Sequence, residues 1–276
     1  MMRQRLLRWS AYLAVAIVFA VVCAYLSNWQ FSRNEGRQTQ LELVQRNYDA
    51  KPLPLDDLLA RGEKLPASAQ WHPVILHGRY EVGGQLLVRN RPHGGTSAFE
   101  VLVPFRTDDG RVFVVNRGWV VAGDGSDVPT SIPAPPAGDA TVVARLRPGE
   151  PLPPSGRGAP EGQVPSINLP LVAEKTGDGA AVDTGAYGEL VSESPAPSSR
   201  PHPFEAPSDD PGPFLSYAIQ WILFAIMGFI FIGYVIRTEI VKHRDEAAGR
   251  APRGPRRRRD RDMDDEDALL DAVEQG

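Results

Sequence analysis

Residues 214–236 read FLSYAIQWILFAIMGFIFIGYVI, 23 consecutive positions without a charge. A helix rises ~1.5 Å per residue, so about 20 residues cross a hydrocarbon layer of ~30 Å, and this stretch is long enough. Tyr217, Trp221 and Tyr234 stand where interfacial aromatic anchors are expected. A buried core helix is the competing reading; length and anchors favour the membrane. A second uncharged stretch, Trp9 to Asn28 (WSAYLAVAIVFAVVCAYLSN), is bracketed by Trp9 and Trp29. It has its own rival, because a basic start followed by an apolar run also describes a signal peptide. No clear A-x-A site follows the run, and Val22 is a poor residue before Cys23 for a lipoprotein cleavage box. An uncleaved anchor is therefore expected, with Cys23 a packing or lipid-facing residue.

Most of the 276-residue chain lies between these two helices. With 42% hydrophobic residues and a formal charge of −4, the chain is not wholly disordered and gives no global reason to expect nucleic acid. One cysteine excludes an intramolecular disulfide and a cysteine-cluster zinc site. Lys and Arg set the orientation. Arg3, Arg5 and Arg8 precede the first helix, ten basic residues follow from Arg237, and the middle section carries 17 Lys/Arg against 23 Asp/Glu. Positive charge on both outer ends predicts a multi-pass protein with both termini in the cytoplasm and the central section extracytoplasmic. Eight residues before the first helix leave no room for an organelle transit peptide, so a bacterial plasma membrane is expected. The expected division is 1–8 cytoplasmic, 9–28 and 214–236 transmembrane, 29–213 an extracytoplasmic β-rich domain, and 237–276 a charged, disordered cytoplasmic tail.

Within the central section, Glu35–Tyr48 reads as a polar helix that continues the membrane helix or packs across the domain's mouth. Leu55–Leu59 reads as one further turn. Strands are predicted at Pro73–Tyr80, Gln85–Arg91, Phe99–Arg106, Arg111–Val121, Thr141–Arg147 and Val164–Leu169. The clearest hairpin is joined by Asp108-Asp109-Gly110, residues tolerant of positive φ. Eighteen of 26 prolines fall between Val121 and Phe214, so 122–213 should be sheet only intermittently, with one irregular strand at Tyr187–Val191. The expected fold class is α+β: two transmembrane helices flanking a mainly antiparallel sheet or small open barrel with Pro-rich loops. Arg253–Arg261 is basic and Asp262–Glu274 acidic, a pattern suited to a solvated tail or to anionic lipid. Arginines without interleaved aromatics are a poor nucleic-acid signal, and no nucleic-acid partner is expected.

No catalytic motif is present: no G-x-S-x-G, H-E-x-x-H, phosphate loop or CxxC. No enzyme and no metal site are expected. His72 and His77, the two histidines closest in sequence, lie on opposite strand faces at a spacing of five and make a poor metal pair. What stands out is polar and aromatic residues inside apolar strands. Arg89, Asn90 and Arg91 end one strand; Asn116, Arg117, Gly118 and Trp119 interrupt another. A buried arginine there needs a carboxylate or carbonyl partner. The residues form either an internal ion pair with a core tryptophan, or a basic, aromatic-lined surface for an anionic ligand or a membrane protein.

At these residues the chain resembles the Surfeit locus protein one family, assembly factors for haem-copper cytochrome c oxidase. The resemblance is carried by Asn28-Trp29-Gln30-Phe31-Ser32-Arg33, His77-Gly78-Arg79-Tyr80, Leu87 to Pro92, Val101 to Phe105, Val115 to Val120 and Leu215 to Trp221. It implies a non-enzymatic helper of oxidase subunit I and other assembly factors in the bilayer, at or after delivery of haem a, with haem contact at most transient. Contact candidates are Trp29, Gln30, Arg33, Arg89, Asn90, Arg91, Asn116, Arg117, Gly118, Trp119, Tyr217, Gln220 and Trp221. Where the family commonly has a histidine suited to axial haem ligation, this chain has Phe214 after Pro213, which leaves His77 and His93 as weak haem-ligand candidates. The alternative function is an extracytoplasmic ligand-binding or sensor module; forty tail residues of mixed charge make no recognisable output domain.

Overall fold

The computed structural model describes residues 2–93, 95–123, 128–156, 158–177 and 181–249, so the basic and acidic runs of the tail lie outside it. The chain divides into two compact units, residues 1–34 with 213–276, and residues 35–212.

The first unit is a helix pair. Helix α1 runs Met2–Asn47 without a break, so the apolar stretch and the polar helix expected after it are one element. Helix α4, the last, spans Phe214–Ala247 and carries the helix eleven residues beyond Ile236, into what reads in sequence as the start of the tail. Glu239, Lys242, Arg244 and Glu246 are good helix formers, which explains the extension. Both helices are long and apolar enough to cross a membrane. They pack antiparallel: Trp9 Nε1 donates to Glu239 Oε2 at 3.0 Å, Phe19 rests on Gly228, and Ser27 Oγ donates to the Ala218 carbonyl at 2.9 Å. Cys23 is fully buried, a packing residue as expected, while Val15, Val18, Val21, Ile230 and Phe231 point outward. An apolar exterior on a helix pair is what lipid, not water, would cover.

The second unit holds the last turns of α1 and a mixed β-sheet. Its elements are β1 (Leu53–Pro54), α2 (Leu55–Leu58), β2 (Pro73–Tyr80), β3 (Leu86–His93), β4 (Thr96–Thr107), β5 (Val112–Val121), β6 (Asp139–Arg147), β7 (Gln163–Val164), α3 (Leu169–Thr176) and β8 (Val182–Ser194). Ladders run β2–β6–β8–β5–β4, and β4 pairs again with β2 at Gly78↔Thr107 and Tyr80↔Phe105. The sheet is thus a closed five-stranded ring, where a sheet or open barrel was expected. Closure removes the edges that such strands would otherwise expose. β3 and β7 extend the sheet outside the ring along the first half of β4. Most ladders are antiparallel; β5 and β8 are parallel, as are the short β1–β2 and β3–β7 pairs.

The alternation of β6 shows how the ring fills. Ala140, Val142, Ala144 and Leu146 are buried inward, joined by Val74, Leu76, Phe105, Phe113 and Val115. The outer faces of β4 and β5 are also buried, because Leu102, Val112 and Val114 pack against β3, β7 and α3 through Val88, Ile167, Leu169 and Val172. Two-sided burial is why these strands read as unbroken apolar runs. Arg111, just before β5, is buried between Asp183, Asp56 and the Leu59 carbonyl, and so ties β5 to β8 and to α2.

Two expectations are corrected. Val164–Leu169 is not a strand: pairing ends at Val164, and Asn168 caps α3 by accepting from the Leu171 amide at 3.2 Å, with Gly177 in the left-handed region closing it. The irregular strand at Tyr187–Val191 is a thirteen-residue strand that fills the ring.

Ring closure predicts a specific glycine requirement. A Cβ on Gly78, whose φ is +152°, would lie 2.0 Å from the Arg106 carbonyl oxygen, whereas nothing lies within 4 Å of one on Gly83. Thermal unfolding in detergent should show Gly78→Ala destabilised by more than ~1 kcal/mol and Gly83→Ala nearly unchanged; equal behaviour of the two would mean that β2 and β4 do not close the ring.

Candidate functional site

The site grows from two breaks in strand register. Between β4 and β5 the pairing slips between Glu100↔Trp119 and Leu102↔Asn116, so β5 bulges at Arg117-Gly118. Between β3 and β4 it slips between Val88↔Glu100 and Arg91↔Ala98, where Asn90 takes φ +58°. Asn tolerates this left-handed geometry better than most residues. Both bulges flank Glu100, and a bulge re-aims side chains that a regular pleat would alternate.

Their first product is a polar knot around one buried carboxylate. Glu100 accepts from Asn116 Nδ2 at 2.8 Å, pairs with Arg91 Nε at 3.2 Å and meets His93 Nε2 at 3.1 Å. Arg91 also reaches Glu150 at 2.5 Å, and Glu150 accepts from the Ile167 amide. Charges this shielded persist only when paired and hydrogen-bonded.

The second product lies inside the ring. Arg117 has no exposed side-chain surface; it donates to Glu193 Oε1 at 2.7 Å and to the Pro133 carbonyl at 2.7 Å, and its guanidinium lies 5.5 Å from the Tyr80 ring centroid. Tyr80 donates to the same carboxylate at 2.8 Å, and burial followed by the Glu193 charge pushes its hydroxyl pKa well above the usual value. Of the two readings of Arg117, the internal ion pair is the one formed; it is not part of a surface.

The third product faces outward. Trp119 stacks on the imidazoles of His93, 5.2 Å between centroids with the planes nearly parallel, and of His202 at 4.4 Å. Its Nε1 donates to the Pro203 carbonyl at 3.1 Å, and its backbone exchanges two hydrogen bonds with His202. Gly118 makes this approach possible: at φ +123°, a Cβ there would meet the His202 carbonyl oxygen at 2.3 Å. The Pro-rich segment after β8 is thereby pinned across the end of β5. A second clamp holds it further on, where Arg37 donates to the Ser208 and Asp210 carbonyls at 2.7–2.9 Å.

Between the segment and the sheet is a concavity of about 240 Å³, lined by Trp71, Pro92, His93, Trp119, Glu189, Phe204, Glu205 and Pro207. Trp71 has φ +72°, unusual for a bulky side chain; its amide donates to the Leu146 carbonyl at 2.8 Å, and the Leu146 amide donates to the next carbonyl, that of His72. Arg147 stacks 3.6 Å from the Trp71 ring centroid and pairs with Glu189 at 3.2 Å. Burial raises the pKa of the Glu189 carboxyl, and Arg147 only partly offsets it.

The sequence-predicted residues therefore separate into groups. Arg91, Asn116, Gly118 and Trp119 meet around Glu100 and the concavity; Arg117 faces the barrel interior; Asn90 is the exposed turn of the β3 bulge, with the half-buried Arg89 beside it. Trp29, Gln30, Arg33, Tyr217, Gln220 and Trp221 all lie in the helix pair, where Arg33 sits over the rings of Trp29 (5.8 Å) and Phe214 (5.4 Å), and Trp221 packs edge-on against Phe224. His77 is on the outer face of β2 beside Thr141, apart from His93. Sequence reasoning missed Glu100, Glu189, Glu193, His202 and Phe204. A lone carboxylate inside Phe99-Glu100-Val101-Leu102-Val103 was the available signal. Among the described residues, no three His, Cys, Asp or Glu side chains are grouped to hold a metal ion.

Breaking the buried pair has a predictable cost. Arg117→Ala leaves Glu193 charged and enclosed, so denaturant unfolding should show a loss of about 3–5 kcal/mol. The double variant Arg117→Met with Glu193→Met should lose clearly less than the sum of its single variants; strict additivity would mean that the two charges do not depend on each other.

Comparison with known proteins bears directly on the blocks around this site. A family model described as the SURF1 family matches residues 17–226, from the first apolar helix through the whole β-sheet into α4. The chain is also 38% identical over 249 residues to uncharacterized SURF1-like proteins of Mycobacterium bovis and Mycobacterium tuberculosis, covering 88% of this chain and 89% of each relative. The resemblance carried by the Asn116–Trp119 block and its companions is thus borne out, and the chain belongs to the SURF1 family.

Proposed function

We propose that this protein assists assembly of haem-copper cytochrome c oxidase by holding subunit I in an insertion-competent state while haem a is added. Membership of a family associated with cytochrome oxidase assembly carries this reading. The architecture supports it: two apolar helices suited to lie beside a membrane subunit flank a β-ring whose polar groups are largely committed to one another. We place both termini in the cytoplasm and the β-ring outside it, on the strength of the Lys/Arg distribution.

The sheet unit suits a protein ligand better than haem. His93 Nε2 is engaged by Glu100, and Glu189 and Glu205 beside it would repel propionates. Phe214 brings no ligand atom to the start of α4. The role therefore assigns haem a to subunit I as cargo, and assigns to this chain the support of the apoprotein.

The experiment compares membranes from a strain deleted for this gene with the same strain carrying the wild-type gene. Reduced-minus-oxidised spectra should show a weakened a-type haem signal in the deletion, with subunit I reduced on an immunoblot and both restored by the gene. A full a-type signal in the deletion strain, with no paralogue present, would overturn the assembly role.

A further inference from the structure

We infer that the concavity between Trp119 and the Pro-rich segment is a binding site for a cationic side chain, specifically an arginine presented by a partner polypeptide. Its volume of about 240 Å³ suits one long side chain, below the ~300–1,000 Å³ usual for drug-sized ligands. Trp71, Trp119, Phe204 and two prolines give apolar walls for a methylene stem, while Glu189 and Glu205 supply carboxylates for the charged head.

Charge complementarity picks the occupant. Lining the concavity and directly behind it, four carboxylates, Glu100, Glu150, Glu189 and Glu205, face three guanidiniums, Arg91, Arg147 and Arg145, the last of which is held by the Tyr48 carbonyl and Asp49. The shortfall is positive charge. Arg91 is committed to Glu100 and Glu150, and Arg147 to Glu189 and the Trp71 ring, so neither can turn to Glu205, which is exposed. The mostly buried Glu189 carries a cost of desolvation that its partner Arg147 and the more distant Arg145 offset only in part; a further cation in the concavity would lower that cost. The fold already uses the same device on this face, with Arg147 over Trp71 and Arg145 over Tyr48, each 3.6 Å from the ring centroid. A planar guanidinium suits both flat rings and carboxylates, which favours arginine over lysine.

This inference does not depend on the assembly role, and its test is made in vitro. The full chain in lipid nanodiscs is titrated with acetyl-Ala-Arg-Ala-amide, acetyl-Ala-Gln-Ala-amide and phosphocholine, with binding read by saturation-transfer difference NMR. Saturable binding of the arginine peptide is expected, at least tenfold tighter than the glutamine peptide and weakened by salt. Glu189→Gln combined with Glu205→Gln should weaken it tenfold or more. Because Glu189 also pairs with Arg147, Glu205→Gln and Phe204→Ala are measured separately after thermal unfolding shows them folded, and each should weaken binding at least threefold. Equal binding of the two peptides, unchanged binding in the folded variants, or tighter binding of phosphocholine, which would assign the site to a lipid headgroup, would each overturn the inference.

Discussion

A guanidinium enclosed by an apolar barrel must find its counter-charge before the barrel can close, and Arg117 finds it on a strand 76 positions away. The pair fixes more than itself. Glu193 must lie on β8, β8 must sit between β5 and β6, and the loop at Pro133 must turn a carbonyl inward. A register slip of one residue on either strand would carry its charged group to the opposite face and leave the other enclosed without a partner. The buried pair thus selects one strand order among those that hydrophobic burial alone would permit.

The same economy shapes the exposed end of β5. One bulge sends Arg117 inward, Trp119 outward and Asn116 to Glu100; the β3 bulge brings Arg91 and His93 to the same carboxylate. Without these irregularities, neighbouring residues would alternate rigidly and could not serve three environments within four positions. Gly118 is the hinge of the arrangement, since only a residue without Cβ admits the His202 carbonyl at that distance.

Legibility in the sequence followed the locality of the cause. The strand Pro73–Tyr80 and the hairpin around Asp108-Asp109-Gly110 depend on alternation and turn chemistry within a few residues, and both were readable. The need of Arg117 for a partner was readable too, because it is a property of the arginine. The partner's identity was not, since nothing local to Glu193 distinguishes it from a solvated carboxylate. α3 was missed although Asn168, Pro170 and Gly177 carry cap chemistry, because its apolar residues are too few to separate a helical period from a strand's. β8 looked irregular because it breaks register with β5 between Val182 and Tyr187, a stretch in which a Cβ on Gly185 would lie 1.9 Å from the Glu63 carbonyl oxygen, and again with β6 between Leu190 and Ser192. The concavity was out of reach, as its walls come from Trp71, Pro92, Trp119, Glu189 and Phe204, which only the closed ring brings together.

The place of β8 in the ring also sets the order in which the chain can become a protein. Seen from a ribosome, strands β2 to β6 emerge first, yet β5 and β6 are not neighbours until β8 arrives to join them. Through most of synthesis the nascent sheet is therefore a gapped trough with two reactive edges and a naked cation in its floor, the kind of intermediate that needs shielding. A chain halted before residue 193 cannot finish, however well its early strands have paired. Maturation of the whole unit hangs on its final strand, so truncations near the end of the sheet should be far more damaging than their small size suggests.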